Sequence, residues 1–156
     1  MPSEIKNHKW KELFNKQNSK KLDIEENESL IDSYYFIYDC YFNRISFINS
    51  AFHTITGYDP ETFNTDSLIE NIHPDDVSYF FDCEEKDLEF KNNLSYNHHF
   101  NYIYTYTYRI KIKSGIYIAL KQTCQALEVD KRGHLTKTLV IHQRLDNYQG
   151  LSLIHI

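Results

Sequence analysis

Three kinds of side chain here have the chemistry of a nucleophile, base or metal ligand: His73 and His98-His99, the cysteines at 40, 83 and 124, and the paired carboxylates Glu84-Glu85. Neutral imidazole binds iron well, so His98-His99 has the donor atoms of an axial haem ligand. His73 precedes Pro74, Asp75 and Asp76. Proline suits the first helical position and carboxylates suit the positive helix end, so His73 reads more simply as the opening of a helix. The cysteines are odd in number, far apart and never in a C-x-x-C arrangement, which argues against a disulfide framework and a structural zinc site. Buried free thiols are the plainer reading, Cys83 included, because no basic residue beside it lowers its pKa. Glu84 and Glu85 are neighbours on a helix, point apart and read as a solvated face. With no Ser-centred nucleophile elbow, no Gly-rich phosphate loop and no metal-ligand pair at helical spacing, the sequence reads as non-catalytic.

The elements that carry these residues follow from periodicity. Trp10, Leu13, Phe14 and Gln17 lie at helical spacing, giving a short amphipathic helix before an acidic stretch at 23–28. Residues 35–38 and 44–48 read as a hairpin around a turn at 39–43. Asn49 stands where an N-cap belongs, and a short helix with Phe52 and Ile55 runs to Gly57. Residues 58–72 hold brief helical signals and no long element. After His73-Pro74-Asp75-Asp76 the stripe Val77, Phe80, Phe81, Glu84 and Leu88 predicts a helix of about four turns. From Phe100 to Lys113, Tyr and Ile alternate with Thr, Arg and Lys, the pattern of a long antiparallel strand with one greasy face. Turns at 113–115 and 130–133 separate it from strands at 116–127 and 135–145, which completes a meander.

The chain has 156 residues, 17 Lys and Arg against 22 Asp and Glu, and a net charge of −5. That balance gives no general attraction to phosphate backbones or anionic lipid, so DNA contact is expected only through a domain outside this chain. No apolar run is long enough to span a bilayer and none has the form of a signal peptide, so a cytoplasmic location is expected, with no membrane partner. Aromatic residues make up 15%, with thirteen Tyr and ten Phe. Tyrosine suits half-buried strands, so a substantial sheet is expected.

The pieces Ile45-Ser46-Phe47-Ile48-Asn49-Ser50-Ala51-Phe52, Ile55-Thr56-Gly57-Tyr58 and Ile72-His73-Pro74-Asp75-Asp76, followed by three closing strands, stand in an order that resembles a PAS domain. The resemblance implies an α+β fold: a five-stranded antiparallel sheet with helices on one face, plus an N-terminal flanking helix. It divides the chain into a helical flank at 1–33, a sensor domain at 34–146 and a linker at 147–156 toward a downstream effector. It implies a signal-sensing and dimerisation module. A homodimer is expected, with the segment around Trp10, Leu13 and Phe14 as interface, and the signal would be an unknown small molecule or protein. Arg144-Leu145-Asp146-Asn147-Tyr148 lacks the Asp-Ile-Thr exit and charged coiled coil common before kinases and cyclases. This favours the sensory half of a LuxR-type transcription regulator; the alternatives are a ligand-free dimerisation module or the sensor of a histidine kinase or cyclase.

No cofactor is expected. Haem-binding members usually draw their ligand from the longer helix, which carries no His, and the Asn-Cys-Arg-Phe-Leu motif of flavin photoreceptors is absent. The remaining candidate site is aromatic: Tyr104, Tyr106 and Tyr108 with Phe52, Ile55, Phe80 and Phe81, lining a pocket for an apolar or aromatic ligand. The same rings would also fill a core, the reading that close packing favours, or form a dimer surface.

Overall fold

The computed structural model describes residues 32–145 together with Lys9 and Glu12. The chain divides into two compact units, residues 1–31 and 32–156. In the first, Lys9 and Glu12 are helical and exposed. Trp10, Leu13 and Phe14 lie outside the described residues, as does the expected linker at 147–156.

The second unit opens with strand β1, Ser33–Asp39, in which Tyr34 and Phe36 point inward. Asp39 makes the turn, because its Oδ1 accepts the backbone N–H groups of Tyr41 and Phe42 at 3.0 Å each. Strand β2, Arg44–Ile48, returns antiparallel to β1. Helix α1, Ala51–Thr56, follows and ends at Gly57, whose φ of 80° no β-carbon residue adopts without strain. The cap differs from expectation by one residue. Ser50 holds the cap position, whereas Asn49 Oδ1 accepts the Tyr35 N–H at 2.9 Å and so ties the helix entry to β1.

Helix α2, Thr65–Asn71, is held at its start by a capping box between Asn64 and Ser67. His73 then opens the next helix as read: its Nδ1 accepts the Asp75 N–H at 3.1 Å. A 3-10 turn at Pro74–Asp76 leads into helix α3, Val77–Asn92. The inward face of α3 differs from the expected stripe. Phe80, Cys83 and Asp87 are buried, while Phe81 and Leu88 are 47% and 59% exposed. Clearer still is Glu84, expected on a solvated face and found half-buried, bonded to Tyr106 and Gln122 of the sheet.

A 3-10 segment, Tyr96–Asn101, precedes strand β3, Ile103–Lys111, so Phe100 and Tyr102 stand outside the strand that their alternation predicts. His99 explains the departure: it is buried, and its Nε2 binds the Gly133 carbonyl at 2.9 Å, which draws the segment off the sheet edge. Strands β4, Tyr117–Val129, and β5, Leu135–Arg144, complete an antiparallel sheet of order β2-β1-β5-β4-β3. The unit is therefore a five-stranded antiparallel sheet with helices, as expected.

Candidate ligand site

Register places the site. Directly opposed residues of neighbouring antiparallel strands share a face and touch. Across β1, β5, β4 and β3 one such row reads Tyr34, His142, Gln122 and Tyr106, and the next reads Phe36, Val140, Cys124 and Tyr104. The first row is polar although it lies inside the fold, with His142 fully buried and Gln122 3% exposed.

Its polar atoms are satisfied by one another, as burial demands. Burial pushes the His142 pKa down to about 3, so the ring is neutral and carries a single N–H. Gln122 Oε1 can only accept, so that hydrogen is on Nε2, 2.8 Å away. Nδ1 then accepts from the Tyr34 hydroxyl at 2.6 Å. Tyr108 also donates to Gln122 Oε1, at 2.5 Å. The Gln122 amide nitrogen donates to the Tyr106 hydroxyl at 2.8 Å, and Tyr106 donates to Glu84 Oε1 on α3. One donor-to-acceptor chain thus runs from β1 through three strands to a helix carboxylate. Burial raises the pKa of Glu84, against the two hydrogen bonds that favour its charged form.

That carboxylate stands in the wall of a cavity of about 620 Å³, a volume suited to a small organic ligand. The floor is the second cross-strand row, Phe36, Val140 and Cys124, with Tyr38 and Thr138 beyond it. Thr65, Leu68 and Ile69 of α2 close one side. On α3 the lining residues Phe80, Glu84, Asp87 and Lys91 recur at helical spacing, and the exposed Phe81 and Leu88 flank them. The walls are mostly apolar, with polar groups gathered where Glu84 and Gln122 meet. Cys40 also lines the cavity, its pKa raised by burial. Burial pushes the Cys124 thiol up to about 12, so it is no nucleophile.

Of the residues expected to line a pocket, Phe80 and Phe81 do so. Phe52 and Ile55 are buried in the core; Phe52 packs edge-on to Tyr34 and close to Phe63. Tyr106 and Tyr108 are buried hydrogen-bond carriers, and Tyr104 packs beside Tyr106. Sequence reasoning missed Glu84, Asp87, Gln122 and His142. A signal existed for two of them: Gln122 shares the inward parity of Leu120 and Cys124, and His142 shares that of Val140. A polar residue in an apolar row marks a built network. His98 binds the Ser95 side chain, and the described residues hold no cluster of three or more His, Cys, Asp or Glu able to take a metal.

The same chain order and sheet recur in known proteins. The chain superposes on a sensory box histidine kinase/response regulator from Burkholderia thailandensis with a TM-score of 0.56 at 17% identity, covering 81% of this chain and 84% of that one. The N-terminal domain of a diguanylate cyclase with PAS/PAC sensor from Marinobacter aquaeolei gives 0.60 at 12%, covering 72% and 94%. The PAS-B domain of Drosophila melanogaster Cycle with bound glycerol gives 0.56 at 14%, covering 72% and 99%. These identities show a common fold. No curated protein matches the chain. The family model described as PAS fold matches residues 45–142, well over half the sequence, and the chain belongs to that family.

Proposed function

We propose that the chain is a non-catalytic sensory module that takes a small, mainly apolar molecule between α3 and the sheet and passes its occupancy to an effector outside the chain. The observation that supports this reading is the union of cavity and network: the ligand space ends on Glu84 and Gln122, and Gln122 is hydrogen-bonded through His142 to β1. A ligand that takes a hydrogen bond from Gln122, or gives one to Glu84, competes with bonds that tie β3 and β4 to each other and to α3. Such competition is the differential contact that a two-state response requires.

The effector we favour is a DNA-binding transcription regulator of LuxR type. Its support is the chain exit after Arg144, which lacks the run expected before a kinase or cyclase. The histidine kinase and cyclase names of two structural relatives favour the alternative effector. On this reading the module is a cytoplasmic homodimer. Among the described residues no helix is long and apolar enough to cross a membrane.

Thermal melting of the whole chain against a small-molecule library tests the sensing reading. Binding to the native state alone raises Tm with ligand concentration. Val140→Phe fills the cavity floor and is expected to abolish the rise while leaving the unliganded fold intact. If nothing raises Tm, or Val140→Phe responds as the parent does, the cavity is not the sensor.

A further inference from the structure

The cavity has a charge preference that its apolar walls conceal. Its lining holds three carboxylates, Glu84, Glu85 and Asp87, and one ammonium, Lys91. Lys91 is already engaged: its Nζ lies 2.7 Å from Asp87 Oδ2. Asp87 is 7% exposed, and its other oxygen, Oδ1, is buried without a hydrogen-bond partner. An ionised oxygen left bare at such depth costs free energy that an incoming donor recovers. Glu84 sits one helical turn earlier on the same face, bonded to Tyr106 and Gln122 but without an ion pair among the described residues. Two inward carboxylates thus stand beside one lysine, which is paired with Asp87 and leaves Glu84 without a counter-ion among the described residues.

Building on the sensing reading, we infer that the ligand is a small organic ammonium ion. Its protonated nitrogen lies between Glu84 and Asp87, and its apolar or aromatic body runs between Phe36, Val140 and Phe80. An ammonium brings three donors to the Glu84 and Asp87 carboxylates that line the cavity. An alcohol brings one donor and no charge, and a carboxylate meets two like charges. The order of preference is therefore ammonium, alcohol, carboxylate.

The test uses three probes of similar size on the intact chain: 2-phenylethylammonium, 2-phenylethanol and 3-phenylpropionate, each titrated by calorimetry at pH 7. The ammonium is expected to bind roughly tenfold or more tighter than the alcohol, the usual worth of a buried charge-assisted hydrogen bond. In Glu84→Gln and Asp87→Asn this ratio is expected to fall toward one while alcohol binding persists, which also shows that the variants fold. Lys91→Gln removes the competing cation and is expected to strengthen ammonium binding severalfold, a gain that misfolding does not produce. Equal binding of ammonium and alcohol, or preference for the carboxylate, overturns the charge preference and leaves the sensing reading intact. No binding of any probe overturns the ammonium assignment, and the sensing reading falls with it only if the library melt also finds no ligand.

Discussion

Helix α3 carries two inward carboxylate sites that differ in how complete they are. At its start Asp76 is closed. Arg109 grips it with Nε to Oδ2 and Nη2 to Oδ1, each at 2.8 Å, and adds its own backbone N–H at 2.9 Å. Burial alone would raise the Asp76 carboxyl, but these bonds and the guanidinium charge hold it below the usual carboxylate range. Two turns on, Glu84 is open: its hydrogen-bond partners Tyr106 and Gln122 are neutral, burial dominates, the Asp87 charge adds to it, and its pKa moves up. The first arrangement pins α3 to β3, assisted by the His73 N–H bond to the Arg109 carbonyl at 2.9 Å. The second leaves charge to be answered from outside. The finished site serves the fold, and the unfinished one at the cavity is where we propose that a ligand is held.

Removing the closed site should cost most. Asp76→Ala leaves the Arg109 guanidinium without its partner, and a loss of about 3 kcal/mol is expected, read by urea unfolding. A change under about 1 kcal/mol would make the pair ornamental and erase the contrast. The network comes next. His142→Leu strands the Tyr34 hydroxyl and takes away one of the two donors to Gln122 Oε1, for a cost of roughly 2 kcal/mol at pH 7.

The same variant has a pH signature. His142 titrates near 6.5 when unfolded and about 3 when folded, so the unfolded state binds more protons between those values. Stability therefore falls as pH drops below about 6.5, by roughly 2 kcal/mol at pH 5, and His142→Leu should flatten that slope. The groups packed on His142 are the Tyr34, Phe36 and Tyr108 rings and Gln122, none of which supplies a charge. Glu84 works in the opposite sense, since its raised pKa favours the fold as pH falls through it. The smallest effect belongs to Glu84→Gln. It keeps an acceptor for Tyr106 and removes a buried charge, so stability at pH 7 should change by less than about 1 kcal/mol. A loss like that of Asp76→Ala would show Glu84 to be structural.

The fold was legible because its signals are local. The hairpin, the glycine stop at 57, the helix opening at His73 and the three closing strands are all written in neighbouring residues. The start of β3 was not, since a distant bond from His99 to Gly133 sets it. The lining of the candidate site was legible only at Phe80 and Phe81. Its polar part is assembled by register across four strands, and register joins Tyr34 to Tyr106 through residues that lie far apart in sequence. Glu84 read as solvent-facing because adjacent carboxylates on a helix point apart and suit a solvated face, while the residues that bond it come from β3 and β4.

Carbon-13 NMR titration of the side-chain carboxyls puts both sites on one axis in the unaltered protein. Glu84 is expected to titrate above the ordinary glutamate range and Asp76 below the ordinary aspartate range, with Glu84 moving down when an ammonium ligand is added. If Glu84 titrates at or below the ordinary value in the free protein, its charge is already answered, and the distinction between a finished and an unfinished site on α3 does not hold.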